Sequence, residues 1–177
     1  MIDIKYELLQ KFIKNAELTT ATVQIVSNDE NEISNALKSQ THSENKVLIS
    51  VKNLELLASY LKSVTPIFKP SNEEITSIPF CITDSVGGIA ETGSIIISAE
   101  SGYAAYFTML TKFHIVLLKA SEIYERPRDI FNNKNSETEN NKNFSIVTGP
   151  SATADMGSLV RGVHGPEHLH IIIIENL

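Results

Sequence analysis

The stretch "HLHIIII", residues 168–174, constrains this chain more than any other. Side chains along a strand alternate between two faces, so consecutive isoleucines make both faces apolar. Such a strand is stable only when both faces are covered, which is the situation of an interior strand in a parallel sheet with helices on either side. The run stands near the end of the 177-residue chain, where chains commonly fray. It therefore reads as core, and trimming it should be damaging.

The preceding residues supply partners for that strand. Ile4, Leu8, Leu9, Phe12 and Ile13 recur at helical spacing, and the β-branched "ATVQIVS" follows as a strand. "NDENEISNALKSQ" opens with an Asn/Asp cap and carries Ile33, Ala36 and Leu37 on one face of a second helix. "KVLISV" reads as a buried strand, "NLELLASYLKSV" as a helix capped by Asn53, and "PIF" as a short strand. These successive βα units predict an α/β fold with a mainly parallel sheet flanked by helices. Further on, "PFCIT", "SIIIS" and "FHIVLLKA" read as strands and "SGYAAYFTML" as a helix. "SEIYERPRDIF" reads as a helix that Ser121 can cap, with Pro127 limiting where it begins or breaking it. Residues 132–143 contain no apolar side chain and are expected to form a flexible polar loop. "FSIVTG" then resumes as a strand, and "SATADMGSLV" reads as a short capped helix before the final strand.

This length is expected to make one domain spanning residues 1–177. Apolar residues make up 42% and charged residues 20%, with no apolar run near the roughly 20 residues of a membrane span. "MIDIKYELLQKFIKN" has neither a basic head nor a greasy middle, so no signal peptide is expected and the location reads as cytoplasmic. The lone Cys81 cannot by itself hold an iron–sulfur cluster or a structural zinc. A net charge of −6 without a Lys/Arg cluster argues against nucleic acid as a partner.

Three stretches have the makings of a site. In "GGIAETGS", Glu91 lies among glycines that permit close approach of a ligand, although a tight hairpin would use the same residues. In "TGPSATAD", Gly149 and the hydroxyls of Ser151 and Thr153 precede an expected helix start, an arrangement that suits a carboxylate or phosphate or serves simply as a cap. Asp155 would lie near that helix start, its charge neutralised by the dipole or offered to a ligand. In "RGVHGPEHLH", His168 and His170 would share one face of a strand. No Cys or Asp stands near them at standard ligand spacing, so no metal site is assigned. His164, between two glycines, can act as an acid, a base or an anion donor, or can pin the turn before Pro166.

"IAETGSIII", "FHIVLLKASEI" and "GPSATADMGSLVRGVHGPEHLHIIII", in that order, closely resemble the LUD-domain family. The resemblance covers residues 80–174. Where family members usually read T-G-A-D this chain has Thr83, Asp84, Ser85 and Val86, and it has Ala152 where a basic residue is common. The resemblance implies a fold similar to glucosamine-6-phosphate deaminase, ribose-5-phosphate isomerase and coenzyme A transferases. It also implies a role as a non-redox component of a system oxidising L-lactate to pyruvate, with iron–sulfur clusters carried by cysteine-rich partner subunits and none in this chain. On that view a pocket for a small carboxylate is built from Glu91, Thr92, Gly93, the loop from Gly149 to Asp155, and His164. Glu91, Asp155 and His164 are its expected catalytic groups, converging at the carboxyl edge of the sheet. The alternatives are a free-standing enzyme, in which Glu91 is a nucleophile or general base, and a small-molecule binding module without catalysis.

Overall fold

The computed structural model describes residues 4–41, 44–98, 103–132, 143–154, 157 and 159–175. The chain begins with α1 (Ile4–Leu18), β1 (Thr22–Val26), α2 (Glu30–Thr41) and β2 (Lys46–Ser50). A 3₁₀ turn, Leu54–Leu57, runs into α3 (Ala58–Leu61), and β3 (Thr65–Ile67), α4 (Asn72–Ser77) and β4 (Phe80–Asp84) follow. Then come β5 (Gly87–Ile89), β6 (Ser94–Ser98), α5 (Ala104–Leu110) and β7 (Phe113–Lys119). The rest of the chain gives β8 (Ile123–Tyr124), α6 (Pro127–Asn132), β9 (Phe144–Val147), the short strands β10 (Ala152–Thr153) and β11 (Val160–Arg161), and β12 (His168–Ile174).

Six strands form a wholly parallel sheet in the order β1-β12-β7-β4-β2-β3. The isoleucine run is interior, paired on one side with β1 and on the other with β7. Its side chains feed two cores in alternation. Ile171 and Ile173 pack with Phe12 and Ala16 of α1 and with Ile95 and Ile97 of β6, whereas Ile172 and Ile174 pack with Ile33 and Leu37 of α2 and Tyr60 of α3. The α/β expectation therefore holds, for the reason that made the run informative: both faces of β12 are covered. Caps fix the helix starts. The Asp29 carboxylate accepts from the N–H groups of Asn31 and Glu32, and Asn53 accepts from Glu55. Ser71 and Glu74 form a reciprocal capping box on α4, a helix the pattern reading does not separate out. No helix among the described residues is long and apolar enough to cross a membrane.

Two sequence expectations are corrected, and the place of a strand that the pattern left unassigned is settled. "SIIIS" is not part of the parallel sheet: β6 pairs antiparallel with β5 and β9 in a second sheet ordered β8-β5-β6-β9. The chain changes sheets within one residue, since the Ser85 N–H donates to Leu117 of β7 and the Val86 N–H to Ile96 of β6. "SEIYERPRDIF" is not one helix, because Pro127 takes the first position of α6 and the residues before it form β8 against β5. "SATADMGSLV" is not helical where it is described: β10 and β11 pair antiparallel, Ala152 with Arg161 and Thr153 with Val160. Within the polar stretch 132–143, residues 133–142 lie outside the described residues.

Candidate functional site

The two glycine-bearing motifs meet on the last turn of α1. Gly93 has φ +66, and a Cβ there would lie 2.1 Å from the backbone nitrogen of Ala16. Gly149 has φ +68, and a Cβ there would lie 2.5 Å from the carbonyl oxygen of Thr19. Each position needs glycine twice over, for its backbone angle and for its approach to a helix that cannot yield. Asn15 locks the first motif, its amide donating to the carbonyls of Ala90 (2.7 Å) and Glu91 (3.2 Å). A row of hydroxyls joins the two motifs: Thr92 Oγ1 is 2.6 Å from Ser94 Oγ, which is 2.7 Å from Thr148 Oγ1.

Glu91 stands on the turn between β5 and β6 with 48% of its side chain exposed, its Oε1 3.8 Å from Arg126 Nε. Ser151 and His164 come together through the backbone. The His164 N–H donates to Ser151 Oγ at 3.2 Å, the Ser151 N–H to the Pro166 carbonyl at 2.8 Å, and the Gly162 N–H to the Ser151 carbonyl at 3.0 Å. Thr153 is held in the β10–β11 pair, and Asp155 lies outside the described residues. These loops do not gather at the carboxyl edge. The His168 N–H donates to the carbonyl of Lys112, just before β7, and a Cβ at Gly165 would be 3.4 Å from the carbonyl of Thr108 in α5. Loop 162–167 therefore lies at the amino edge of the parallel sheet. Gly93 and Gly149 approach the same side, because the end of α1 hands over there to the start of β1. The physical reason is that Glu91 and Gly149 are carried by the second sheet, whose strands do not follow the direction of the first.

The carboxyl edge holds a crevice that motif reading missed. It has a volume of about 90 Å³ and a floor of Val86, Leu117 and Ile174. Lys52, Asp84, Lys119 and Glu122 stand around that floor. Asp84 and Lys119 end β4 and β7, Lys52 follows β2, and Glu122 closes the 3₁₀ turn after β7, all at the edge where open α/β sheets bind ligands. Asp84 Oδ2 accepts from the Lys52 backbone N–H at 2.9 Å, which ties the turn after β2 to the end of β4. The lining thus joins two cationic and two anionic side chains to apolar residues, a mixed setting that can take a small polar ligand. The signal was in the sequence as the charged residues that end "FCITD" and "FHIVLLK".

Two histidines are buried in the sheet. His114 Nε2 is 2.8 Å from Thr83 Oγ1 and His170 Nδ1 is 2.6 Å from Thr22 Oγ1, while His114 Nδ1 and His170 Nε2 have no hydrogen-bond partner among the described residues. Burial pushes His114 down to about 3 and His170 to about 4, so both are neutral near pH 7. Cys81 is fully buried, its Sγ 3.1 Å from Thr111 Oγ1, and burial pushes its thiol up to about 12. Among the described residues no three His, Cys, Asp or Glu side chains are grouped as a metal site.

Comparison with known proteins places this geometry. Lactate utilization protein C of Macrococcus caseolyticus is 31% identical over 100 residues, 54% of this chain and 43% of that protein. Lactate utilization protein C of Deinococcus radiodurans is 28% identical over 107 residues, 59% of this chain and 50% of that protein. The matched stretch thus spans half or less of each relative's own length. The crystal structure of a DUF162 family protein from Deinococcus radiodurans superposes with a TM-score of 0.71, covering 96% of this chain and 98% of that one at 20% identity, a likeness of fold. The LUD domain family model matches residues 6–174, nearly the whole chain, and the chain belongs to that family.

Proposed function

We propose that the chain is the ligand-holding, cluster-free component of a system that uses L-lactate, working with cysteine-rich iron–sulfur subunits that carry electrons as lactate becomes pyruvate. The likeness to two lactate utilization proteins C carries this reading. The carboxyl-edge crevice supports it, since Lys119 in its lining can answer the charge of a small carboxylate. Cys81 supports it as well: a buried thiol that holds its proton to about 12 is a poor cluster ligand, so electron transfer falls to partners.

The test is affinity purification of the tagged chain from its native cells. Cysteine-rich iron–sulfur proteins should co-purify. The chain alone should be colourless and should not oxidise L-lactate with an artificial acceptor. In calorimetry, Lys119→Ala should weaken pyruvate binding about tenfold, the size of one charge-assisted contact. Stoichiometric cluster absorbance or lactate oxidation by the isolated chain would sink the proposal. A second reading, a free-standing enzyme using Glu91 with Asp155 and His164, is favoured by the hydroxyl row that joins the two motifs. It requires a covalent adduct or turnover that Glu91→Gln removes while Lys119→Ala leaves it intact.

A further inference from the structure

We propose that the outer edge of β1 is a self-association surface, where two copies of this chain pair antiparallel, β1 against β1, about a two-fold axis at Gln24. β1 and β3 are the two edge strands of the parallel sheet. An edge strand offers unpaired backbone N–H and C=O groups to any extended chain, and folds guard against this with proline, charge or a cover.

β3 is guarded and β1 is not. The Thr65 N–H donates to the Asn45 carbonyl, so Thr65 and Ile67 turn their backbone groups inward to β2 and Pro66 faces outward. Pro66 has no N–H to offer there. In β1, "TVQIV" contains neither proline nor charge. The Val26 carbonyl, opposite Ile174, accepts from the Glu175 N–H. Thr22, Gln24 and Val26 therefore bond inward to β12, and Val23 and Ile25 present their N–H and C=O groups outward. Ile25 is 41% exposed and Val23 and Gln24 are half-buried, so α1 and α2 do not close over the strand.

The limits of the open stretch select a second copy as the occupant. On one side the Ala21 N–H is taken by the Ala16 carbonyl, and on the other the Ser27 N–H is taken by the Glu32 carboxylate. These two closed positions stand equally far from Gln24, so the open stretch is symmetric about that residue. Antiparallel pairing there sets Val23 of one copy opposite Ile25 of the other, and Ile25 opposite Val23. Each of these pairs exchanges two hydrogen bonds, which satisfies every outward group of Val23 and Ile25. Directly opposed side chains share a face, so the exposed Ile25 is covered by an apolar neighbour. On the other face the two Gln24 carboxamides meet at the axis, each offering a donor and an acceptor to the other. No like charges are opposed, and a foreign strand would find the same short stretch without the matched amides.

Sedimentation of the full chain over a concentration series to about 1 mM should pass from monomer to dimer, with Kd on the order of 10–100 μM for so short a contact. Ile25→Lys sets a charge against the edge and should weaken association by roughly tenfold or more, with thermal unfolding followed to show that the variant folds. Gln24→Cys tests the register without disturbing the edge. Under mild oxidation it should cross-link to its own copy, because only the residue at the axis meets itself, and the native Cys81 is buried. Thr22→Cys, on the same face but off the axis, should not cross-link. A chain monomeric to about 1 mM, association unaltered by Ile25→Lys, or cross-linking no greater for Gln24→Cys than for Thr22→Cys would each overturn the pairing. None of these outcomes depends on lactate chemistry, so the surface stands or falls apart from the function proposed above.

Discussion

Gly93 shows how a residue can look catalytic and be structural. In the sequence it belongs to a small-residue setting around Glu91, where a glycine signals ligand approach and a turn equally well. In the fold its φ of +66 and its 2.1 Å approach to Ala16 give it a full explanation without a ligand. Gly93→Ala should lose about 3 kcal/mol or more, from left-handed strain together with a collision against helix backbone. Gly157→Ala is the control: its φ is +87 but nothing lies within 4 Å of the added Cβ, so about 1–2 kcal/mol is expected. Urea midpoints measure both, and equal losses would show that the approach to α1 is unimportant. Glu91 is a different case. Its backbone is held by Asn15 and Glu125 while its carboxylate remains half exposed beside Arg126. The turn explains where Glu91 stands but not why it is a glutamate, which leaves the side chain free for the enzymatic reading.

At the scale of elements, legibility followed the length and purity of the periodic signal. The strands at 46–50, 80–84 and 113–119, with the isoleucine run, were readable because burial on both faces leaves almost no polar position inside them. β5 was not, since two of its three residues are glycine and carry no pattern. The strand pair 152–153 and 160–161 was read as a helix because Ser, Thr and Asp favour caps and turns alike, and local sequence does not hold the pairing with residues seven or nine positions on. β6 was recognised as a strand, but its sheet and direction were not legible. Local periodicity reports that a strand is buried and not which neighbour it pairs with, and the expected carboxyl-edge position of the site failed for the same reason. The strongest element-scale prediction concerns β12. Burying each of its four isoleucines contributes roughly 1.5–3 kcal/mol, so together they rival the roughly 5–15 kcal/mol of net stability of a domain. Deleting residues 171–177 should give insoluble protein, because it also strips β1 and β7 of their shared neighbour and exposes two strand edges. A soluble truncated chain with cooperative thermal unfolding would contradict the interior placement.

At the scale of the whole molecule, two histidines buried in the parallel sheet make its stability answer to acid. The unfolded chain binds a proton at each histidine near pH 6.5. The folded chain refuses one at His170 until about pH 4 and at His114 until about pH 3, because burial disfavours the charged ring. Where the unfolded state holds more protons, stability falls as pH falls. Each histidine should therefore remove about 1.4 kcal/mol per pH unit over its own window. The two act together from about pH 6.5 to 4, and His114 acts alone from about 4 to 3. Glu32 and Glu74, whose carboxyls are held down chiefly by hydrogen bonds from Ser27 and Ser71, add a loss of the same sign. Their part begins only near the ordinary carboxylate range, so the interval from pH 6.5 to 5 reports the histidines nearly alone. Urea unfolding across that interval should show a slope approaching 3 kcal/mol per pH unit, twice the single-histidine value. His170→Gln, which cannot protonate, should bring the slope to about half. A stability flat from pH 7 to 5 would mean that His114 and His170 accept protons as readily in the folded sheet as in the unfolded chain, and the burial argument would fall with it.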